Sequence, residues 1–590
     1  MELNSFQARA VTTPGHITVL ACPGSGKTRV LSSRAEYLIN EHEIGRLCAV
    51  TFTRDAAKEL RTRILDSCGP QHARRLAVGT FHSLGLEQER RCTNGKMPRL
   101  ISDGERAMIL KGAWKSIAPK LTYEEIVREI DLCKTKVDGH VFEDERIEAV
   151  FHAYEAAMKA DNCMDFSDIL LRSVRGMRNG TIKPIPCAWM LVDEGQDMDA
   201  VQRDWILEHG KSGVHITLVG DDDQSLYSFR MALGYKGLVS VTEALGAIEL
   251  TLPVNYRCAP NILEHAAKLI RNNKERANKN IKAHKEVPGE IIVGRFATRV
   301  DEGKGIVKYL SDLDDKRGEW AVLARTNGML DEIEMSLNSA GIPTIRSGGK
   351  SFWEHGVGLI VLSLLRSIDT NTWSGASQTL AYCGLSVSWL NGFATGRGTC
   401  IEKLTEAYET APDDHARKKI LALREGMLSW QYQASRRRVN LAICGALDFV
   451  SDNSREGLKK LIASVKVNLT ERKSPNSAEE GTQAAAKAAE RRQQETLGQR
   501  IARLSRVETK EEEVHASVVQ LITLHSSKGL EFDNVWIVGC EEGNLPHTDS
   551  TEDEERRLMY VGMTRARSRL VISSSMDDGM ESRFLEEAGL

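Results

Sequence analysis

The sequence predicts an α/β protein with two parallel-sheet units, each interrupted by an inserted helical segment. The chain has 590 residues, which is too many for one hydrophobic core. Apolar runs typical of buried strands alternate with helical patterns over residues 1–84, as expected of a parallel sheet covered by helices. Two long stretches, residues 85–185 and 371–513, instead show helical and charged patterns with few strand candidates.

The order strand, turn, helix opens the chain. The apolar run 16–21 enters a glycine-rich turn and then a helical pattern over residues 28–40. A second apolar run, 47–51, leads into a helix that carries residues 56–64. Because strands and helices alternate, we expect the strands to lie parallel in a doubly wound sheet.

Strand patterns return at residues 188–192, 321–323 and 518–522, after the helical stretches or between them. We therefore predict two sheet domains, each made of two pieces of chain. The first is 1–84 with 186–254 around the insertion 85–185, and the second is 255–370 with 514–590 around the insertion 371–513. Within the second insertion, residues 473–513 are rich in Ala, Glu, Gln, Lys and Arg and fit a flexible linker or a long solvated helix equally well.

The composition is that of an ordinary soluble protein, with 41% hydrophobic and 27% charged residues. The longest apolar run, residues 357–365, is well short of the ~20 residues that a membrane-spanning helix needs. The N-terminus lacks the basic and apolar regions of a secretory signal, so we expect a cytoplasmic protein without membrane contact. The twelve cysteines include no Cys-x-x-Cys pair, which argues against zinc, iron–sulfur clusters and disulfides. The net charge of −3 implies that any nucleic acid would bind through a local basic groove.

A candidate phosphate-binding loop follows the first strand. Residues 21–28 read Ala-Cys-Pro-Gly-Ser-Gly-Lys-Thr and lead directly into a helix. Backbone N–H groups of such a loop surround phosphate oxygens, Lys27 adds a positive charge, and the Thr28 hydroxyl is a ligand for Mg²⁺. A glycine-rich turn without a ligand is the alternative, since Ala21 stands where the strict pattern has glycine.

Two further strand ends carry polar side chains that suit the same site. Asp193 and Glu194 follow the strand 188–192, where Asp193 is suited to hold Mg²⁺ and Glu194 to accept a proton from an attacking water. Gln224 follows a third strand, 215–219, and is placed to sense a γ-phosphate. Acidic residues after a strand are usually only solvated. Three such motifs at the carboxyl ends of strands in one sheet favour a binding site.

More motifs follow in chain order. They are Gln7 within Leu3-Asn4-x-x-Gln7, residues 51–57, 79–83, 165–168, 220–230, 255–257, 523–532 and 555–566. Together with the phosphate loop, they resemble the motif set of superfamily 1 helicases of the UvrD/Rep/PcrA type over nearly the whole chain. Departures from that set are Arg54, Asp55 and Met231, together with Cys22 in a position that is usually Gly or Ala.

The resemblance implies two RecA-like P-loop NTPase domains and an ATP hydrolase that unwinds duplex DNA. It implies 3′→5′ movement along single-stranded DNA, action at junctions of single and double strands, and a role in DNA repair, replication or recombination. The cofactors implied are ATP and Mg²⁺. Base-stacking aromatic side chains would bind the single strand with little preference for sequence.

The resemblance also implies roles for individual residues, taken position by position. The catalytic set is Lys27, Asp193, Glu194, Gln224, Arg257 and Arg565, in which the two arginines act as fingers from the second core. The ATP contacts are Gln7, Pro23, Gly24, Ser25, Gly26, Lys27, Thr28, Arg29, Tyr256 and Glu531, with Thr28 and Asp193 as the Mg²⁺ ligands. The DNA contacts are Phe52, Thr53, Phe81, His82, Tyr227, Phe229, Arg230 and His525.

Alternative functions remain open at this point. Only 25 residues follow Arg565, so we expect no fused nuclease domain. An ATPase or translocase subunit that works with a separate nuclease or recombinase, for example in antiviral defence, and unwinds little alone is the second hypothesis. A DNA-binding module that does not hydrolyse ATP is the third, and the presence of Glu194, Gln224, Arg257 and Arg565 argues against it.

Overall fold

The computed structural model describes most of the chain. The described residues are 2–41, 45–227, 231–347, 356–395, 397–455, 458–459, 462–463, 466, 495–504, 518–577 and 579–590. Contacts between Cα atoms divide the chain into two compact units. The first consists of Met1–Gly289, Asp549–Ser568 and Glu586–Leu590, and the second of Glu290–Thr548 and Arg569–Leu585.

The strands are short and most of them are buried. They are β1 (Ile17–Ala21), β2 (Leu47–Thr51), β3 (Leu76–Thr80), β4 (Arg99–Leu100), β5 (Cys163–Met164), β6 (Trp189–Val192), β7 (His215–Gly220), β8 (Ile248–Leu252), β9 (Val254–Asn255), β10 (Lys282–Ala283), β11 (Glu290–Phe296), β12 (Trp320–Ala324), β13 (Thr344–Ser347), β14 (Val519–Thr523), β15 (Phe532–Ile537) and β16 (Ala566–Ser575).

The helices begin mostly at Ser, Thr, Asp or Asn caps, which satisfy N–H groups of the first turn. They are α1 (Ser5–Thr12), α2 (Lys27–Glu41), α3 (Arg54–Cys68), α4 (Phe81–Cys92), α5 (Asp103–Ile117), α6 (Tyr123–Lys134), α7 (Glu145–Ala160), α8 (Asp168–Arg178), α9 (Ala200–Lys211), α10 (Gly234–Leu245), α11 (Pro260–Ile270), α12 (Arg299–Ser311), α13 (Asn327–Ser339), α14 (Gly356–Thr370), α15 (Trp373–Tyr382), α16 (Val387–Asn391), α17 (Cys400–Glu409), α18 (Asp414–Ser435), α19 (Val439–Asp452), α20 (Leu497–Leu504), α21 (Glu552–Met563) and α22 (Arg583–Ala588). Short 3-10 turns span Pro70–Arg75, Gly195–Asp197, Asp222–Gln224 and Asp314–Glu319.

The sheet of the first unit has the strand order β3-β2-β6-β7-β1-β8, and all of its neighbouring strands are parallel. Along β1, Val19 packs into the core on one face of the sheet and Leu20 into the core on the other, so helices cover both faces. Leu20 lies opposite Gly220, which places the carboxyl ends of β1 and β7 at the same edge. This edge carries the loops that follow β1, β6 and β7.

The sheet of the second unit has the order β11-β16-β15-β12-β14-β13. Its registered neighbours β11/β16, β12/β15, β12/β14 and β13/β14 are parallel. Trp320 and Trp536 pack in the core beneath α12 and α13, with Tyr309 against both rings. The predicted fold class, an α/β protein with two RecA-like parallel-sheet domains, is therefore confirmed.

Helical segments with cores of their own interrupt both units. In the first unit, α5, α6 and α7 pack around Leu110, Ile130 and Tyr154, beside the small parallel pair β4–β5. In the second unit, α14 to α20 enclose a larger core. Of the predicted linker or helix over 473–513, only residues 495–504 lie within the described residues, and they contain α20. The segment boundaries given above stay a prediction.

The placement of one helix, α21, differs from the prediction. Segment Asp549–Ser568, which contains α21, belongs by its contacts to the first unit rather than to the unit built on the second sheet. Asn273, which follows α11, donates to the carbonyl of Asp553 at 2.8 Å and helps to hold α21 there.

Within the described residues, no helix combines the length and the apolar character that crossing a membrane requires.

Candidate functional site

The loop between β1 and α2 has the geometry of an anion cradle. Gly24 and Gly26 have φ angles of +61° and +81°, which residues with a side chain rarely adopt. A Cβ on Gly24 would lie 2.6 Å from the Cβ of Arg257, so only glycine fits there. The Ser25 hydroxyl is 1% exposed and has no hydrogen-bond partner among the described residues. A buried hydroxyl without a partner, next to the first N–H groups of α2, fits phosphate oxygens.

Lys27 and Glu194 form an ion pair at the base of this loop. The Lys27 ammonium donates to Glu194 Oε2 at 3.0 Å, and Gln196 Nε2 donates to the same oxygen at 2.6 Å. Glu194 is in the left-handed region with φ +53°, which directs its side chain toward the loop rather than along the strand. Burial alone would lower the pKa of Lys27, but the carboxylates of Glu194, Asp221 and Asp193 raise it above the usual value. Lys27 is therefore held as a cation.

Asp193 immediately follows β6 and is buried. The Glu194 N–H donates to Asp193 Oδ1 at 2.9 Å. Burial, together with the neighbouring charge of Glu194, raises the pKa of Asp193 to about 7. Thr28, in the first turn of α2, is partly exposed. A hydroxyl and a carboxylate beside a phosphate cradle are hard oxygen donors, so the residues present fit Mg²⁺ bound with a nucleotide.

Gln224 lies in a buried polar network at the end of β7. Its Nε2 donates to Asp221 Oδ2, and its Oε1 accepts from Arg565. Lys279, which sequence reasoning missed, places its ammonium 2.7, 2.7 and 2.9 Å from the carboxylates of Asp221, Asp222 and Asp223. Because this ammonium already contacts all three carboxylates, we do not assign a metal to the acidic cluster.

One more partner, Arg276, holds the same network, and it was not predicted. Arg276 donates two hydrogen bonds to Asp223, at 2.8 and 2.9 Å. Lys279 also donates to the carbonyl of Ala21 at 3.2 Å, which joins the cluster to the start of the phosphate loop. Arg276 and Lys279 lie in a charged run of ordinary surface composition, so nothing in the sequence pattern separates them from solvated residues.

The two predicted arginine fingers lie together in the first unit. Arg565 follows α21, is 1% exposed and donates to Gln224 Oε1 at 3.0 Å and to the carbonyl of Val561 at 2.9 Å. Arg257 donates to the carbonyl of Thr564 at 3.2 Å. Burial and the positive charge of Arg257 lower the pKa of Arg565 to about 9. The family resemblance implies that both arginines belong to the second core, whereas in the structure both lie in the unit that holds Lys27.

The start of the chain closes the other side of the loop. Asn4 caps α1 and Gln7 completes the reciprocal capping box, which fixes the Gln7 side chain. Gln7 Nε2 then donates to the carbonyl of Ser25 at 3.0 Å. Asn4 donates to the Tyr256 hydroxyl at 2.7 Å, and the Tyr256 ring lies 4.6 Å from the ring of His284. The structure thus brings Gln7 and Tyr256 to the phosphate loop, and it adds Asn4 and His284.

The remaining predicted ATP contacts are placed as follows. The carbonyl of Pro23 accepts a hydrogen bond from Asn255 Nδ2 at 2.7 Å, which ties the loop to the strand before Arg257. Arg29 lies in the first turn of α2, and its carbonyl accepts from the Ser32 hydroxyl. Glu531 is an exposed residue of the second unit, immediately before β15.

The predicted DNA contacts of β2, α3 and α4 differ in exposure. Phe52 is partly buried, and Thr53 is exposed and caps α3 by accepting from the Ala56 N–H. Phe81 is only 1% exposed and packs edge-on against Phe52 and Trp205. Burial of the Phe81 ring does not support its predicted contact with DNA and gives it a packing role instead.

His82 forms an aromatic stack that sequence reasoning missed. Its ring lies 3.9 Å from the ring of Phe166, at an interplanar angle of 19°. Phe166 is 54% exposed. Burial lowers the pKa of His82 to about 4, so the imidazole is neutral at physiological pH. Phe166 lies within the motif 165–168. A large aromatic residue between polar neighbours was the sequence signal that could have identified it as exposed.

The other predicted DNA contacts lie in separate parts of the chain. Tyr227 is partly exposed, and its carbonyl accepts from the Ala232 N–H at 3.2 Å. Phe229 and Arg230 lie outside the described residues. His525 is a partly exposed residue of the second unit, and its carbonyl accepts from the Lys528 N–H at 3.4 Å.

Comparison with protein families gives matches along both halves of the chain. Residues 3–235 match the UvrD/REP helicase N-terminal domain. Residues 250–376 and 420–577 match the UvrD-like helicase C-terminal domain. The first match contains Gln7, Lys27 and Glu194, and the second contains Arg257 and Arg565.

Curated relatives align over almost the full length of the chain. DNA helicase II of Haemophilus influenzae is 30% identical, and the alignment covers 99% of this chain and 86% of that protein. The ATP-dependent DNA helicase Rep of Escherichia coli is 29% identical, with 97% and 91% covered. The ATP-dependent DNA helicase PcrA of Bacillus subtilis is 26% identical, with 99% and 85% covered. The phosphate loop, the ion pair and the two arginines lie together at one sheet edge, within the residues that match these family domains. The chain therefore belongs to the UvrD/Rep family of helicases.

Proposed function

We propose that the chain is an ATP-driven 3′→5′ translocase on single-stranded DNA that unwinds duplexes ahead of it. One observation carries the proposal: Lys27, Glu194, Gln224, Arg257 and Arg565, which lie far apart in sequence, meet at one edge of one sheet. Positive charges that face each other across a phosphate cradle suit phosphoryl transfer better than simple nucleotide storage.

The proposed chemistry assigns one task to each of these groups. MgATP, when bound, supplies the transferable phosphoryl group and the divalent charge, with Thr28 and Asp193 as the proposed ligands. Lys27 turns from Glu194 to the anionic oxygens, which frees the Glu194 carboxylate to accept a proton from water. Arg257 and Arg565 neutralise charge that develops in the transition state. Gln224 bonds Arg565 to the loop after β7 and senses the γ-phosphate of bound ATP.

Movement along DNA requires that this site be coupled to the rest of the chain. Segment Asp549–Ser568 carries Arg565 and continues at both ends directly into the second unit. We propose that making and releasing the contact between Arg565 and Gln224 in each ATP cycle pulls on those two connections. A repeated change of this kind would be converted into steps along a bound strand.

The proposed strand path uses exposed groups near the sheet edge. The stacked pair His82 and Phe166, the exposed Thr53, and the partly exposed Phe52 and Tyr227 are the described candidates in the first unit. Base stacking on an exposed aromatic ring is worth about 1–3 kcal/mol and tolerates any sequence. His525, Phe229 and Arg230 stay predicted contacts, and the last two lie outside the described residues.

We propose a role in DNA repair, replication or recombination. No observation favours a separate nuclease or recombinase partner.

Unwinding of tailed duplexes tests the proposal. The protein is given a fluorescent duplex with a 3′ single-stranded tail, a matched duplex with a 5′ tail, and a blunt duplex, each with and without ATP. We expect strand separation of the 3′-tailed duplex alone, and only with ATP. The Glu194→Gln protein serves as the inactive control. Preference for the 5′ tail would overturn the polarity, and ATP hydrolysis without strand separation on any substrate would overturn the helicase assignment.

A further inference from the structure

Phe166 is an exposed aromatic residue between two aspartates whose side chains point inward. Phe166 is 54% exposed, whereas Asp165 is 2% exposed and the Asp168 side chain is 14% exposed. A phenylalanine on the surface gains little from burial. Because core packing holds little of this ring, its orientation depends on the backbone of residues 165–168 and on the stack against His82.

Reciprocal hydrogen bonds shape that backbone. The Asp165 N–H donates to Asp168 Oδ2 at 3.0 Å, and the Asp168 N–H donates to Asp165 Oδ1 at 3.1 Å. This exchange closes the turn before α8 and leaves the Phe166 side chain on the outside. One oxygen of each carboxylate remains, Oδ2 of Asp165 and Oδ1 of Asp168.

Lys134 takes both remaining oxygens. It is the last residue of α6, it is 3% exposed, and its ammonium lies 2.7 Å from Asp165 Oδ2 and 2.8 Å from Asp168 Oδ1. Two residues of α7 join the cluster: the Tyr154 hydroxyl donates to Asp165 Oδ2 at 2.7 Å, and Glu155 pairs with Lys134 at 2.9 Å. Arg106 of α5 lies farther from Asp165 Oδ2, at 3.5 Å, whereas the buried Lys134 ammonium bridges both carboxylates. Lys134 thus connects the inserted helices to the turn that carries Phe166.

We infer that Lys134 is a positioning residue that locks residues 165–168 so that Phe166 and His82 present a fixed stacking surface to a base of single-stranded DNA. The inference rests on the proposed DNA-binding function. Without the ammonium, the carboxylates of Asp165 and Asp168 would face each other in a poorly hydrated space without a shared cation. The turn would then open toward water and the Phe166 ring would lose its fixed orientation. Lys134 itself does not touch the strand in this scheme.

Binding to a fluorescent oligo-deoxythymidylate tests the inference through a double-mutant cycle. The proteins are the wild type, Lys134→Met, Phe166→Ala, the double variant, and Lys134→Arg. Lys136→Met is the matched control, because Lys136 is an exposed lysine just beyond the end of the same helix. We expect Phe166→Ala and Lys134→Met each to weaken binding roughly tenfold, and the double variant to be no weaker than either single variant. Lys134→Arg should restore part of the affinity, and Lys136→Met should bind as the wild type does.

Two readouts separate positioning from a general loss of structure. DNA-free ATP hydrolysis should be unchanged in Lys134→Met, and hydrogen exchange should speed up at residues 165–168 without DNA present. If Lys134→Met does not fold, Asp168→Asn replaces it, because that change removes one charge of the clamp and keeps the side-chain size. Additive losses in the cycle, or unchanged exchange at residues 165–168, would overturn the positioning role. If Phe166→Ala binds DNA normally, the stacking surface in the proposed function fails together with this inference.

Discussion

The Arg565 guanidinium donates a hydrogen bond to the side-chain oxygen of Gln224 at 3.0 Å, although 341 residues separate them in sequence. Gln224 in turn donates to Asp221, which accepts from Lys279. Arg565 is therefore bonded to the loop that follows β7, through a side chain that bears no charge. Both partners are buried, so this bond is made where water competes little.

Replacing Arg565 with Met should remove a charge that matters mainly in the transition state. We expect the single-turnover rate of ATP hydrolysis to fall by roughly 10³-fold, with much smaller change in nucleotide affinity. Rapid-quench kinetics and binding of a fluorescent ATP analogue measure the two quantities. Arg63→Met is the control, because Arg63 is an exposed arginine whose side chain pairs with Glu59 in the preceding turn of α3. Equal losses in binding and rate would contradict the finger role.

The ion pair between Lys27 and Glu194 should respond differently to the loss of each partner. Lys27→Ala removes the positive charge of the cradle, so ATP hydrolysis should become undetectable. Glu194→Gln keeps the side-chain size but cannot accept the proton, so the protein should bind ATP and hydrolyse it at least 10²-fold more slowly. Steady-state ATPase assays and equilibrium nucleotide binding distinguish the two variants. Wild-type turnover by Lys27→Ala would refute the phosphate assignment.

Gly24→Ala should inactivate the protein through a steric clash. The added methyl group would lie 2.6 Å from the Cβ of Arg257, at a φ of +61°. We expect loss of ATP hydrolysis, since the phosphate loop and the Arg257 segment cannot both keep their positions. Gly112→Ala, inside helix α5 with nothing within 4 Å of the new methyl group, is the control. It should be active and slightly more stable, by about 0.5–1 kcal/mol. An active Gly24→Ala enzyme would argue against this loop geometry.

His209 should make stability depend on pH below neutrality. It is fully buried, its Nε2 accepts from the Ile185 N–H at 3.1 Å, and burial lowers its pKa to about 4. Between pH 6.5 and 4, the unfolded chain binds a proton at this site that the folded chain excludes, so stability falls as the pH falls through that window. The loss should approach about 1.4 kcal/mol per pH unit.

Thermal unfolding at pH 5.0 and 7.5 measures this effect. His209→Gln cannot take up the proton, so its melting temperature should change less between the two pH values than that of the wild type. His152→Gln is the control, because the His152 side chain is 69% exposed. A wild-type pH dependence that survives unchanged in His209→Gln would show that other groups account for it.

Much of the candidate site could be predicted from local sequence. The strand, glycine-rich turn and helix that end at Lys27 and Thr28 are contiguous, and the spacing of apolar and turn residues specifies them. Glu194 and Gln224 were predicted for a similar reason, because each lies within a few residues of the end of a buried strand. Asn4 was recognised only as part of the motif around Gln7. The supporting groups Lys279, Arg276 and His284 were not predicted. Their contacts join segments that no periodic pattern relates, and their surroundings in sequence look like ordinary solvated surface.

The sequence by itself determined the parallel sheets, the helices that cover them and the side chains that face the phosphate cradle. These features depend on local periodicity, on glycine conformation and on where each strand ends, and each of them is specified by residues that are close together in the sequence. Tertiary structure alone decided that Arg565 joins the unit of Lys27, that Phe81 is buried while Phe166 is exposed, and that Lys134 is buried among carboxylates. The physical reason is that burial and ion pairing depend on which distant segments pack together, and a single side chain's chemistry does not specify its neighbours.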